Sequence, residues 1–250
     1  MRKKNKLKRA ALALLFPSTC FAIHPLASED TDTQGSSHFQ LELSVDKDRR
    51  ERGGEVRSAT EANATLTYGL TDSVDVALNT PYRRLSATDS ATERGVGDAS
   101  LLLKWRFWES DGFSLGIRPQ IGFATGDAQR GLGGGKTSYG ATLLAALERE
   151  SYVFLANAGY RYNNNSVGDR TDLWNASAAV LWKLAQRWRL ALDVGGYRNP
   201  DPAMRQNPAF AIFGLIYSPT KDLDLDVGVR KGLNDAEVDR TLGVGLTIRW

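Results

Sequence analysis

The sequence predicts an all-β chain: a transmembrane antiparallel up-and-down β-barrel of about 12 strands, with short periplasmic turns and longer extracellular loops. Three observations predict it. A basic and then apolar leader stands at the N-terminus. Apolar and polar residues alternate with period two along most of the remaining chain, which is the strand signal. The connections between the alternating stretches are short and long in turn.

The leader comes first. "MRKKNKLKR" is a basic region and "AALALLF" an apolar one, too short to cross a bilayer as a helix. "PSTCFA" then ends at Ala22 with the small Cys20 two residues earlier. This reads as a secretory signal peptide over 1–22, followed by a flexible periplasmic tail over 23–37 and a barrel over 38–250. Cys20 as the acylated cysteine of a lipoprotein is the other reading, and the bulk of Thr19 before it weighs against that. The intact chain has 32 Lys+Arg against 29 Asp+Glu. Six of the basic residues lie in the leader, so the mature chain is slightly acidic and offers no charge argument for nucleic acid. Its cysteine is lost with the leader, which leaves no disulfide and no cysteine-ligated metal.

The barrel follows from the body of the chain. Expected strands are 38–46, 59–69, 73–83, 98–108, 112–124, 138–148, 151–163, 171–183, 187–198, 208–218, 222–231 and 240–250. "FQLELSV" sets Phe39, Leu41, Leu43 and Val45 against Gln40, Glu42 and Ser44, and "DLDLDVGVR" sets Leu223, Leu225, Val227 and Val229 against Asp224, Asp226 and Arg230. "GLTDS", "ESDG", "ERES", "LAQR" and "SPTK" are short turns, whereas "DKDRRERGGEVR", "RRLSATDSATERGVG", "TGDAQRGLGGGKT", "NNNSVGDR", "RNPDPAMRQN" and "KGLNDAEVD" are long and polar. A soluble sandwich also alternates. Here, however, aromatic residues cluster at both ends of the strands, as two membrane interfaces require. Closure follows from the backbone, since only a helix or an edgeless sheet pairs every N–H and C=O in lipid. "GLGGGKTS" at 131–138 resembles a phosphate loop in composition, but its glycine spacing is wrong and no helix follows, so it reads as a flexible surface loop with Lys136 in solvent.

"TLTYGLTDSVDVALNTPY", "GVGDASLLLKWRF", "FATGD" with its glycine-rich sequel, and the aromatic C-terminus resemble the MetA-pathway of phenol degradation family of outer-membrane proteins. The resemblance covers nearly the whole mature chain. It implies an outer-membrane barrel that moves small compounds, often aromatic or apolar, and it carries no catalytic residues to positions here.

The expected function is passive, porin-like passage of small molecules. The alternative is a non-conducting barrel whose loops bind a surface partner or lipopolysaccharide. Outer-membrane lipid, lipopolysaccharide and the barrel-assembly machinery are the expected partners, with no nucleic acid, cofactor or metal. An enzyme is not expected, because His24 and His38 are the only histidines and neither neighbours an activated serine. Candidate lumen-lining residues are Glu42, Arg106, Arg118, Arg161, Asp193, Asp224, Asp226 and Arg230. If Arg106, Arg118 and Arg161 meet the later acids across the lumen, they set up a transverse field; mixed signs equally allow salt bridges that occlude the pore. "NPAFAIFGLIYSP" is apolar on both faces, so one face must meet the lumen, a folded-in segment or another protomer. Leu246, Ile248 and Trp250 are the expected insertion signal. Arginine is expected to cost far more at lipid-facing Leu225 than at Asp226. Intact-mass analysis of the outer-membrane form should find Ile23 as the first residue; a lipid-modified Cys20 would refute the cleavage site.

Overall fold

The computed structural model describes residues 24–52, 55–88 and 90–250, and the expected signal peptide lies outside them. In chain order the strands are β1 (Phe39–Arg52), β2 (Glu55–Thr71), β3 (Val74–Ala87), the short β4 (Glu93–Val96), β5 (Ser100–Ser110), β6 (Phe113–Gly122), β7 (Ser138–Arg149), β8 (Tyr152–Tyr162), β9 (Asp172–Ala185), β10 (Trp188–Tyr197), β11 (Ala209–Thr220), β12 (Leu223–Gly232) and β13 (Arg240–Arg249). Each long strand pairs antiparallel with the next, and β1 pairs with both β2 and β13. The sheet therefore closes into a 12-strand barrel, while β4 pairs only with β3.

Three strands are longer than their apolar pattern suggests, and β3 continues to Ala87 instead of ending near residue 83. β1 and β2 run 14 and 17 residues, and their ladder continues through the charged stretch expected as a loop, up to Arg52 opposite Glu55. Above the membrane both faces of a strand meet water, so the apolar signal fades while the backbone ladder does not. The loop at 131–138 is also more ordered than expected. The Asp98 carboxylate accepts the N–H groups of Gly126 and Gly134 at 2.9 and 2.7 Å, and Leu132 is buried with Ala59 and Leu85. Gly131 and Gly135 hold φ of 73° and 74°, which explains the glycines without a phosphate. Lys136 is exposed.

The register separates the faces. Glu42 lies opposite Thr247 and Thr65, and Asp226 opposite Gly245, all inward; Leu43, Val45, Leu225 and Val244 point outward and are exposed. Aromatic pairs mark the end with the short turns: Trp188 and Tyr217 have ring centroids 4.5 Å apart, Tyr152 and Trp182 5.9 Å. Trp250 stacks on Phe39 and exchanges backbone hydrogen bonds of 2.8 and 3.1 Å with it, so the last residue helps close the barrel. Ile248 and Leu246 share its outward face.

The stretch expected to be a free periplasmic tail is inside the barrel. Residues 24–34 enter from the short-turn end, run past β3, β5 and β6, and cross to β11–β13. Ser28 and Thr31 are fully buried. This strap also answers what covers the second apolar face of β11. Ile216 packs in one cluster with Leu26, and a Cβ on Gly214 would collide with Pro25.

Asp226 is consequently not a free lumen position, because its carboxylate bonds to His24, and the expectation that arginine is cheap there gives way. Leu225 has no such tie. Leu225→Arg should cost roughly 2–4 kcal/mol of folding free energy in urea titrations from lipid vesicles, against far less for Leu225→Ala. Equal costs would show that Leu225 does not face lipid at mid-depth.

Candidate functional site

The strap turns a polar tube into a site. Its entrance is fixed at the periplasmic end, where the Ser37 N–H donates to the Gly69 carbonyl (2.9 Å) and the Ser36 N–H to Asp72 (3.1 Å). A Cβ on Gly69 would run into the Gly35 backbone, so glycine is required at this crossing. Further in, the Gln34 N–H donates to both oxygens of Asp75, at 3.2 and 3.1 Å.

The acids at 29–32 then meet the cations of β5 and β6. Lys104 Nζ lies 2.9 Å from Glu29 and 3.2 Å from Asp30, and Arg118 Nε lies 2.9 Å from the other Glu29 oxygen. Arg106 is 3.8 Å from Asp32 and 3.2 Å from Glu109. Because the strap makes no ladder, side chains of the wall satisfy its backbone. Asn157 accepts from the Glu29 N–H (2.6 Å) and donates back to its carbonyl (3.0 Å). Asp193 accepts the N–H groups of Ala27 and Ser28 (2.7 and 2.6 Å) and the Ser28 hydroxyl (3.0 Å). At the far end both ring nitrogens of His24 face carboxylates, Asp226 and, at 3.3 Å, Asp46. No ring nitrogen is left to serve as a base toward Ser44, which lies beside Gly245.

All eight candidate lumen residues project inward, but the expected transverse field across an open lumen is replaced by something else. The strap lies between the two walls and neutralises each. Arg106 and Arg118 face its acids, while Asp193 and Asp226 hold its N–H groups and imidazole. Asp224 instead pairs with Arg189 and Arg249, each at 3.0 Å, and Arg230 with Glu237 at 2.7 Å. Glu42 lies between Thr247 and Thr65 and has no ion pair among the described residues. Arg161 differs from the paired ones: no carboxylate lies within ion-pair distance of it among the described residues, and the charges that act on it are those of Arg83, Asp169 and Asp98. Burial, and then the charge of Asp201, raises the Asp169 carboxyl pKa above its ordinary value.

Two cavities flank the strap. The outer one holds about 1000 Å³ and is floored by His24, Pro25, Leu26 and Ala27; Arg161 lies in its wall. The inner one holds about 460 Å³ and opens toward the short-turn end beside Asp30, Asp32 and Arg249. Glu42, Thr65 and Arg118 border both cavities.

Reading faces from the sequence missed the strap residues Leu26, Ser28 and Glu29 and their wall partner Asn157. A signal was present. Gly214, Gly228, Gly243 and Gly245 occupy inward positions on three adjacent strands, and a Cβ at each would meet Pro25 or His24.

The family described as "Putative MetA-pathway of phenol degradation" matches residues 24–250. No curated protein matches the sequence. Among solved structures, the COG4313 outer membrane channel from Pseudomonas putida F1 superposes with a TM-score of 0.75 at 13% identity, over 88% of this chain and 98% of that one. The KdgM porin has a TM-score of 0.57 at 6% identity, over 84% and 98%. The translocator domain of the autotransporter NalP from Neisseria meningitidis has 0.55 at 13%, over 88% and 91%. At these identities the likeness establishes the bacterial outer-membrane barrel fold.

Arg161→Ala should shift the reversal potential in a KCl gradient toward cations and leave the thermal stability unchanged, because it removes an uncompensated lumen charge and no bond. Arg118→Ala should do both: shift selectivity and loosen Glu29. A reversal potential indifferent to Arg161 would place that residue off the ion path.

Proposed function

The chain belongs to this phenol-degradation family, and on that premise we propose that it is a passive outer-membrane channel for small molecules whose path bends around its own N-terminal strap. The observation that carries this reading is the pair of cavities bordered in common by Glu42, Thr65 and Arg118. A solute entering from outside collects in the large outer cavity, passes between the Glu42–Thr65 wall and the Arg118–Glu29 pair, and leaves through the inner one. The fold it shares with the COG4313 channel and the KdgM porin supports a channel over an enzyme, as does a histidine engaged at both nitrogens.

The shared border is polar throughout, so with the strap in place it suits small hydrophilic or dipolar solutes. Aromatic or apolar cargo finds less to hold it. Leu26 and Pro25 cover the inner face of β11 at Ile216 and Gly214, and the Arg230 guanidinium sits 3.8 Å above the Phe210 ring. Passage of such cargo requires the strap to leave its seat.

Planar-bilayer recording tests the reading. The intact mature barrel should show a small, steady conductance, and a variant lacking residues 24–34 a conductance several times larger. Silence from both would overturn the channel and favour the non-conducting interaction barrel.

A further inference from the structure

The outer rim of the barrel carries a second site, on the face turned away from the lumen. Along β12, β13 and β1 the outward residues are apolar up to Val229, Leu242 and Val45, all exposed. The ladder then brings three cations into one row: Lys231 lies directly opposite Arg240, and Arg240 directly opposite Arg49. Lys47 stands one step below, opposite Leu242. Beyond β2, whose residue opposite Arg49 is Ser58, Arg84 of β3 lies opposite Arg94 of β4. All six side chains are exposed.

Like charges directly opposite each other destabilise a sheet. Among the described residues Glu51 lies 3.2 Å from Arg49, and the Asp239 carboxylate lies beside it, accepting the Glu51 N–H at 2.7 Å. Among the described residues Lys231 and Arg240 have no ion pair. Elsewhere around this end of the barrel the outward positions are aromatic, with Tyr139, Tyr160, Tyr162 and Trp174. Among the outward strand positions of this end the cations thus gather in one sector, just above the apolar band, at the depth where lipid ends and headgroups begin. The long loops place this end outside the cell. The outer leaflet there is lipopolysaccharide, whose anionic groups nearest the acyl chains are the phosphates of lipid A. Arginine binds phosphate through two parallel N–H bonds, and a row of cations on adjacent strands presents several such donors to one headgroup.

We propose that the β12–β13–β1 rim, centred on Lys231, Arg240 and Arg49, is a docking site for the phosphorylated headgroup of lipopolysaccharide. It rests on the barrel standing in an outer membrane and not on its conducting.

The test uses the full mature barrel in detergent, with bisphosphorylated lipid A as the probe and native mass spectrometry as the readout. The triple variant K231Q/R240Q/R49Q should bind lipid A at least ten times more weakly than wild type. Lipid A stripped of its phosphates should bind both proteins equally. Identical binding of bisphosphorylated lipid A to the two proteins would overturn the site. Displacement of the lipid by an equal concentration of inorganic phosphate would overturn the lipid assignment, since the row would then be a free-anion site. Arg240→Gln, in the middle of the row, supplies a readout that survives poor folding of the triple variant. Without lipid it should raise the Tm, because two like-charge contacts disappear, and with lipid A it should give a smaller Tm gain than wild type. A fall in Tm without lipid would show that Arg240 is structural and end the proposal.

Discussion

The pairing of β1 with β13 is the interaction on which the rest depends. In lipid an unpaired backbone group costs several kcal/mol, so a sheet with two free edges cannot stay in the membrane. Once the ladder from Gln40–Arg249 to Arg49–Arg240 forms, no edge remains, and strict alternation becomes inside and outside. The backbone exchange between Phe39 and Trp250 completes that seam at the periplasmic end. The C-terminal aromatic is therefore both a belt residue and part of the closure.

Inside, the same constraint returns on a smaller scale. The strap crosses the lumen without a strand partner, so its N–H and C=O groups need acceptors and donors from side chains. Asn157, Asp193 and Asp75 supply them, each such bond contributing on the order of 0.5–1.5 kcal/mol and more where the acceptor is charged. The mixed signs of the lumen follow from this. The cations Lys104 and Arg118 sit where the strap carries acids, and the acids Asp193 and Asp226 sit where it presents N–H groups and an imidazole. Of the occlusion and the open eyelet that mixed charges allowed, the structure shows an interior filled on one level by the chain itself, with open space above and below.

The barrel was legible because alternation reports which way a side chain points whatever lies beyond it. Leu43, Leu225 and Val244 point to lipid, and Glu42, Asp226 and Arg118 to the interior, as their neighbours in sequence predict. The upper halves of β1 and β2 were not legible, since beyond the membrane the outward face turns polar at Lys47 and Arg49 and the contrast vanishes. The strap was illegible for a different reason. "HPLASEDTDTQG" has no periodicity because none of its residues repeats a contact: each meets a different wall side chain. Polar, small and proline-containing, it has the composition of a free tail. Its complement was written elsewhere, in inward glycines of β11–β13 that open room for Pro25 and His24. A glycine that faces a filled interior reads the same as one that faces water until the filler is known.

The strap's attachments are not equivalent. The Lys104–Glu29 ion pair borders the inner cavity, so on release water takes over as partner and the net loss is modest; the bonds to Asp193 and Asn157 are buried but polar, and on release they too are exchanged for bonds to water. The contact of Gly35 with Gly69 is backbone against backbone and holds the entrance in place. Leu26 is the exception to both. It is seated among Ala146, Leu155, Ala179, Leu181, Ala191 and Ile216, an apolar patch that water cannot replace, and burying a leucine contributes about 1.5–3 kcal/mol. That patch is also why β11 is apolar on both faces, toward lipid at Phe213 and toward Leu26 at Ile216. The polar bonds and the glycine crossing therefore set where the strap lies, and one apolar side chain anchors its inner stretch against β11.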